Sequence, residues 1–155
     1  MLQAFRVNGY LKFRKKFTVF YIIINSGPIF DFFRKNFDFP VGSKTKFNTE
    51  LLPSDFDNAI PVIRGIFDTD GGIYFDNAAG YARPYPTVDI TSHNPELLDW
   101  LSRTLTKKGF KVISLKYSIR LKTYGQVERW FNEVMPSNKV HVQKWNRWKS
   151  QYMGP

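Results

Sequence analysis

The feature that most constrains this chain is the stretch Ile63 to Gly72, IRGIFDTDGG, in which a helical pattern ends abruptly in acids and glycines. On helical spacing it has two faces, an apolar one with Ile63, Ile66 and Phe67 and a nearly smooth one with Gly65, Asp68 and Thr69. A glycine-lined helix can approach another helix closely, so two copies of the stretch would bring their C-terminal acids together. The same pattern also suits an ordinary amphipathic helix that ends in a polar turn.

Asp70 is the acid that would lie where two such helices meet. An aspartate at a helix C-terminus opposes the helix macrodipole, so it is stabilised there only by a cation or a hydrogen-bond donor. Carboxylate oxygens suit hard divalent cations. Asp70 is therefore a candidate metal ligand.

The string from Ile63 to Gly71 resembles the LAGLIDADG motif of homing endonucleases and related intron maturases. It follows the variant in which an arginine, here Arg64, precedes the first glycine, and it departs mildly at Thr69, where a small residue is usual. The resemblance covers about residues 57–150. It implies an α+β fold of the homing-endonuclease type, an αββαββα unit whose antiparallel sheet forms a DNA-binding saddle.

The residues on either side of the motif predict a helix followed by a hairpin. Asp57 or Asn58 is expected to cap the motif helix, which leaves Pro61 in its first turn, where a missing N–H costs little. After the glycines the apolar residues recur with a period of two, which predicts strands over 73–76 and 87–91. A long loop is expected to join them.

The remainder of the chain predicts helices and strands that complete the unit. Ser92 or Asn94 is expected to cap the next helix. Residues 110–123 return to a strand pattern whose bend cannot be placed, and a short helix stopped by Pro136 follows. A basic, tryptophan-rich helix from about Lys139 to Tyr152 ends the chain.

The N-terminal segment predicts a second, incomplete copy of the same order. Residues 11–24 favour one or two strands, a helix enters at Pro28, Pro40 to Lys44 break it, and residues 45–56 suit an extended linker. Aligning Gly27 with Gly125 also aligns three apolar pairs: Ile29 with Val127, Phe32 with Trp130, and Phe33 with Phe131. We therefore divide the chain into residues 1–56, which resemble the tail of another repeat whose own motif would precede Met1, and an endonuclease domain over 57–155.

The charge of the chain indicates its class of partner. Lys and Arg number 23 against 13 Asp and Glu, a formal net charge of +10, so nucleic acid is the first candidate and an anionic membrane surface the second. The absence of cysteine excludes disulfides and thiolate metal sites. Basic residues from Lys12 to Lys16 and the apolar run after them imitate a signal peptide, but the run is short and has no small-residue cleavage site. We expect an intracellular protein without a membrane segment.

The resemblance implies which residues of the motif hold the metal. Asp70 would be the catalytic, metal-binding acid, assisted by the backbone carbonyl of Thr69. Mg²⁺ is the expected cofactor, with Mn²⁺ as an alternative and Ca²⁺ as a non-catalytic substitute. Gly65, Asp68 and Thr69 are assigned to the interface between two motif helices.

Two further residues are implied near the water network of the centre. Ser92 falls at the end of the second strand, where some members of the family carry a glutamine, and Lys139 falls near a basic residue that precedes the last helix. His141 and Lys144 are alternatives to Lys139. The competing explanation is that all of these are ordinary polar residues at the protein surface with no role in a catalytic centre.

A sheet that buries alternate residues against helices presents the others on an open face that fits the DNA major groove. The predicted DNA-binding residues have the parity of that face, with one addition from the hairpin loop: Tyr74, Asp76, Thr87, Asp89, Ser118, Arg120 and Lys122, and Arg83 in the loop. Ordinary solvent exposure explains any one of them equally well. Together, on a chain of charge +10, they favour nucleic acid.

The leading hypothesis is a site-specific double-stranded DNA endonuclease, associated with an intron or an intein, that depends on Mg²⁺. Because the chain holds one motif, a homodimer or a second motif-bearing chain would supply the other acid. The alternative from another class is an RNA maturase or a DNA-binding protein that does not cleave. A basic protein of membrane surfaces ranks last, since the cations follow strand patterns.

Overall fold

The computed structural model describes residues 10–14, 19–23, 25–37, 49–77 and 82–154 of the chain. These residues belong to two compact units, Met1–Ser43 and Lys44–Pro155. The predicted helix break from Pro40 to Lys44 and the first part of the predicted linker, residues 45–48, lie outside the described residues. None of the described helices is both long enough and apolar enough to cross a membrane.

The first unit contains a hairpin followed by a helix. Strands β1 (Tyr10–Arg14) and β2 (Val19–Ile23) pair antiparallel, with Tyr10 opposite Ile23. Helix α1 (Gly27–Phe37) follows, as the sequence predicts, and the Ser26 hydroxyl accepts a hydrogen bond of 3.4 Å from the first turn. The order strand, strand, helix is the order that the internal repeat predicts for this segment.

The second unit alternates helices with the strands of one sheet. Its elements, after a 3₁₀ turn at Thr49–Leu51, are α2 (Phe56–Asp70), β3 (Gly71–Asp76), β4 (Tyr85–Thr91), α3 (Pro95–Lys107), β5 (Val112–Ser114), β6 (Ser118–Lys122), α4 (Tyr124–Glu133) and α5 (Lys139–Tyr152). The sheet is antiparallel with the strand order β3-β4-β6-β5. The α+β class and the antiparallel sheet are therefore confirmed.

The core lies on one face of this sheet. The inward residues of the strands are almost completely buried and alternate with polar residues: Ile73, Val88, Ile90, Ile119 and Leu121. Helices α2, α3 and α4 cover them with Ile63, Phe67, Leu101, Leu105 and Trp130, each with no exposed surface. On the other face of the sheet most of the polar side chains are only partly buried within this unit.

The N-terminal end of α2 differs from the prediction. Asp55, rather than Asp57 or Asn58, caps the helix, because its backbone is extended and its carboxylate accepts a 2.9 Å hydrogen bond from the Asn58 N–H. The helix therefore begins at Phe56, and Pro61 lies inside it instead of in the first turn. Pro61 has no N–H to donate to the Asp57 carbonyl one turn earlier, and both residues are exposed.

The segment predicted as an extended linker packs onto the second unit where it is described. Thr49–Leu51 form a 3₁₀ turn, and the indole N–H of Trp100 on α3 donates a 3.0 Å hydrogen bond to the Pro53 carbonyl. The described residues 49–56 thus belong to the same compact unit as α2.

Helix α5 matches the predicted bounds of Lys139 to Tyr152. Asn138 caps it by accepting a 3.0 Å hydrogen bond from the Val140 N–H. Trp145 and Trp148 face the core, and the Trp148 ring stacks on Phe75 of β3 at 5.7 Å between centroids and 4° between planes. Aromatic stacking therefore holds α5 beside the outer strand of the sheet.

Candidate nucleic-acid interface and motif helix

The exposed face of α2 is smooth. Pro61, Gly65 and Thr69 are all exposed and lie four residues apart, so they form one stripe along the helix. A Cβ atom at Gly65 would meet no atom of the described residues within 4 Å, apart from the backbone of its own helix. The apolar face behaves as predicted, with Ile63 and Phe67 fully buried and Ile66 half-buried. Gly65 and Thr69 thus occupy a surface that a second helix could approach closely.

Asp70 is the last residue of α2, and β3 begins at the next residue. Its side chain is exposed, and one carboxylate oxygen lies 3.3 Å from the Thr69 hydroxyl. The Thr69 hydroxyl also donates to the carbonyl groups of the preceding turn, at 3.0 Å from Gly65 and 3.2 Å from Ile66. Asp70 therefore stands at the surface where the helix passes directly into the sheet.

Gly71 makes this sharp junction possible. A Cβ atom at Gly71 would lie 2.7 Å from the Phe67 carbonyl oxygen and 2.9 Å from the Phe67 Cα atom. The Gly71 N–H also closes the helix by donating to the same carbonyl. Only a residue without a side chain fits this approach, so Gly71 sets the position of Asp70.

Asp68, which the resemblance assigns to the interface between motif helices, makes its hydrogen bonds within this chain. Its carboxylate accepts hydrogen bonds of 3.0 Å from the N–H groups of Ser137 and Asn138 and another from the Ser137 hydroxyl. The Asn138 side chain in turn donates to the Asp68 carbonyl at 2.9 Å. Asp68 therefore fastens the start of α5 to the end of α2 within one chain.

Arg64 makes a parallel contact one turn earlier on the same side of α2. Its Nε atom donates a 2.8 Å hydrogen bond to the Val134 carbonyl at the end of α4. The Arg64 and Asp68 pair holds the connection between α4 and α5, in which Met135 has a left-handed backbone with φ of 51°. Sequence reasoning missed this role, although the spacing of four residues between two complementary charges was a signal for a shared surface.

Ser92 and Lys139, which the resemblance implies near the metal centre, have different surroundings. Ser92 lies just past β4, at the end of the sheet from which β3 starts, since Gly71 is opposite Ile90. Its hydroxyl accepts a 3.1 Å hydrogen bond from the Asn94 N–H, which starts α3. Lys139 is exposed at the first turn of α5, the helix start that Asp68 fastens.

His141 is a core residue rather than an open alternative to Lys139. It is 9% exposed, and its ring lies 4.9 Å from that of Phe67. Burial lowers the pKa of His141, the Asp68 carboxylate opposes that shift, and Lys144 reinforces it. Lys144 itself is exposed on the outer side of α5.

The parity predicted for the open face of the sheet is correct. Cross-strand pairs place Thr87 between Tyr74 and Lys122, and Asp89 beside Arg120. The Arg120 guanidinium lies 3.0 Å from the Asp89 carboxylate, and this hydrogen bond raises the pKa of Arg120 further. An ion pair between Arg120 and Asp89 therefore stands on this face, on the two central strands of the sheet.

A second group on the open face is centred on Asp76. The Thr87 hydroxyl lies 3.2 Å from the Asp76 carboxylate, and the Lys122 ammonium lies 4.0 Å from it. Lys122 also lies 5.5 Å from the centre of the Tyr85 ring. The predicted loop extended from Asn77 to Pro86, yet β4 already begins at Tyr85.

Three predicted DNA-binding residues are not available on this face. Thr87 has no exposed surface, because Tyr74 and Lys122 flank it on the neighbouring strands, and Ser118 is 7% exposed. Arg83 contacts the helix side instead, where its guanidinium donates a 2.7 Å hydrogen bond to the Tyr152 carbonyl at the C-terminus of α5. The exposed part of the predicted set is thus smaller than the alternation suggested.

A metal site within one chain has few donors. Among the described residues no group of three or more His, Asp or Glu side chains is arranged to hold an ion. Mg²⁺ is commonly held by one or two carboxylates together with waters and substrate phosphates. One exposed Asp70 per chain fits that requirement only when a second acid and a phosphate join it.

No protein-family model matches the chain, and no curated protein matches it at a significant level.

Proposed function

We propose that the chain is a site-specific double-stranded DNA endonuclease of the homing type, encoded with an intron or an intein. The observation that carries this proposal is the position of Asp70. It is exposed at the end of a helix with a smooth outer stripe and directly precedes a sheet with one open polar face. The resemblance of the motif to LAGLIDADG supports the same conclusion.

The second acid would come from another motif helix. Two α2 helices that pack along Gly65 would place two Asp70 carboxylates side by side, each with the Thr69 carbonyl next to it. A homodimer is the simplest source, because a two-fold axis pairs identical surfaces. A separate motif-bearing chain would supply the same groups.

Different residues of the chain would have different roles in DNA cleavage. Asp70 would hold Mg²⁺ or Mn²⁺, which supplies Lewis acidity and an acidified water when it is bound. Tyr74, Arg120 and Lys122 would lie against the DNA groove and the phosphates, and Ser92 and Lys139 would flank the reacting phosphate. The ion pair between Arg120 and Asp89 would fix the direction of the guanidinium before DNA binds.

Cleavage of a linear duplex library in the presence of Mg²⁺ tests this function. Wild type should cut a single long site, Asp70→Asn should not cut, and Asp57→Asn should cut like wild type. The last variant is a matched control, since Asp57 is an exposed acid on the same helix. Unchanged cleavage by Asp70→Asn would remove Asp70 from the mechanism. Binding without cleavage in Ca²⁺ is also expected.

The pairing of two α2 helices is tested separately, by sedimentation. Sedimentation with and without the duplex should find two motif helices per site, and Gly65→Leu should abolish pairing while the monomer stays folded. A pairing state that Gly65→Leu leaves intact would contradict the close approach of two α2 helices.

The alternative function is DNA or RNA binding without cleavage, as in a maturase. The small number of carboxylate donors per chain favours it. It predicts tight binding that Asp70→Asn does not weaken and no cut at any site in the library.

A further inference from the structure

The groove between β3 and α5 is built along the backbone of an outer strand. Ile73, Tyr74 and Phe75 line one side, and Lys144, Arg147 and Gln151 line the other, around a volume of about 420 Å³. Neighbouring side chains of a strand point to opposite faces, so three consecutive residues can line one groove only through the strand's edge. In the described residues β3 pairs with β4 alone, which leaves its outer N–H and C=O groups without a strand partner.

The opposite side of the groove is positively charged. Lys144 and Arg147 are exposed, and in the described part of the chain their side chains form no ion pair or hydrogen bond. None of the described residues that line the groove is acidic. The two cations are three positions apart on α5, so they project from the same side of the helix. The groove therefore fits an anionic occupant.

The aromatic rings at the base of the groove are already in contact with one another. Phe75 stacks on Trp148, and Trp148 lies 5.6 Å from the Tyr152 ring. The Trp148 indole N–H also donates a 3.0 Å hydrogen bond to the Pro84 carbonyl. Bases of single-stranded nucleic acid need free ring faces on which to stack, and these rings do not offer them. A strand edge with a rigid base instead suits a peptide backbone.

We infer that this groove binds an extended acidic segment of a partner protein, which adds to the sheet as a strand beside β3. Alternate side chains of an added strand are spaced about 6.6 Å apart, close to the spacing of about 5–6 Å between residues three apart on a helix. Acidic side chains at alternate positions of the segment would therefore meet Lys144 and Arg147 in turn. Of the residues assigned to the proposed nuclease function, Tyr74 alone also lines this groove. The inference uses the backbone edge of β3 and the cations of α5, so it does not rest on the proposed nuclease function.

Fluorescence anisotropy with a labelled, end-blocked heptapeptide of alternating Glu and Thr tests the inference. Wild type should bind it, whereas a peptide with Lys in place of Glu should not bind. The double variant Lys144→Glu with Arg147→Glu should bind about tenfold more weakly, the effect of reversing two surface ion pairs. The double variant Lys107→Glu with Lys116→Glu changes the charge equally at exposed positions outside the groove and should stay within about twofold of wild type.

Backbone pairing has a separate readout. Methylating alternate peptide nitrogens should abolish binding, because the added strand then lacks donors for β3. Hydrogen exchange at Ile73 to Phe75 should slow when the unmodified peptide binds. Equal binding of the methylated peptide, or equal losses in both double variants, would overturn the inference. The inference would also be overturned if an oligothymidylate binds wild type, loses binding in the Lys144→Glu with Arg147→Glu variant, and the acidic peptide does not bind.

Discussion

Asp68 and Asp70 lie two residues apart on α2, and their removal should have different effects. Asp68→Ala removes an acceptor that serves the N–H groups of Ser137 and Asn138 at 3.0 Å and the Ser137 hydroxyl. A side-chain cap is worth about 0.5–2 kcal/mol and a hydrogen bond to a charged group about 1.5–3 kcal/mol. Because Asp68 is half-buried, we add the lower ends of the two ranges, one for the cap and one for the bond from the Ser137 hydroxyl. The free energy of unfolding should therefore fall by about 2 kcal/mol.

Equilibrium unfolding in urea at pH 7 measures this loss, with Asp70→Ala as the control. Asp70 is exposed at a helix C-terminus, where its charge opposes the macrodipole. Its removal should leave the free energy of unfolding unchanged or raise it by about 0.3–1 kcal/mol. Equal effects of the two substitutions would refute the assignment of Asp68 to the fold and of Asp70 to the surface.

The same pair predicts a dependence on pH. Burial tends to raise the pKa of the Asp68 carboxyl, but the hydrogen bonds from Ser137 and Asn138 outweigh it, and the pKa lies below its ordinary value of 3.8. A lowered folded pKa adds stability above the unfolded pKa, and that stability is lost as the pH falls through the folded value. The difference between wild type and Asp68→Ala should therefore be constant from pH 7 to 5 and shrink below pH 3.8. A difference that grows as the pH falls would contradict this sign.

Three other substitutions have defined outcomes in the same unfolding assay. Gly71→Ala should lower the free energy of unfolding by about 1–3 kcal/mol, because the added Cβ would press on Phe67. Gly72→Ala should lower it by less than half as much, because a Cβ atom there meets nothing within 4 Å. Gly65→Ala should raise the free energy of unfolding by about 0.5–1 kcal/mol, since the position is helical and open. A lower free energy of unfolding in this variant would indicate that Gly65 packs closely against a second chain. Trp148→Ala should cost about 3–5 kcal/mol through loss of its stacking, and a cost below 1 kcal/mol would show that α5 is held by other contacts.

Local patterns predicted most of the secondary structure of the second unit. The alternation of Val88 and Ile90 with polar neighbours, the cap at Asn94 and the bounds of α5 were all correct. These features depend on residues a few positions apart in the chain, and such residues express the period of two or 3.6 directly. The start of α2 was misplaced because Asp55, Asp57 and Asn58 have equal capping chemistry, and only the buried position of Phe56 selects among them.

The candidate site was predicted less completely, and its errors share one cause. The helical pattern placed Asp68 beside Gly65, but its partners lie 69 and 70 residues later in the chain. The strand pattern placed Thr87 on the open face but gave no sign that longer side chains on both neighbouring strands would cover it. Each error concerns a contact between residues far apart in sequence.

The sequence by itself determined the motif helix, the polarity of the two sheet faces, the position of an acid at the helix end and the basic character of the chain. These follow from composition and from periodicity, which are properties of neighbouring residues. Only the tertiary structure decided that Asp68 joins α2 to α5 while Asp70 remains exposed, and that Lys144 and Arg147 line a groove beside β3, which pairs with β4 alone in the described part of the chain. Side chains of the same chemistry acquire different roles because burial and hydrogen-bond partners come from segments that meet only when the chain folds.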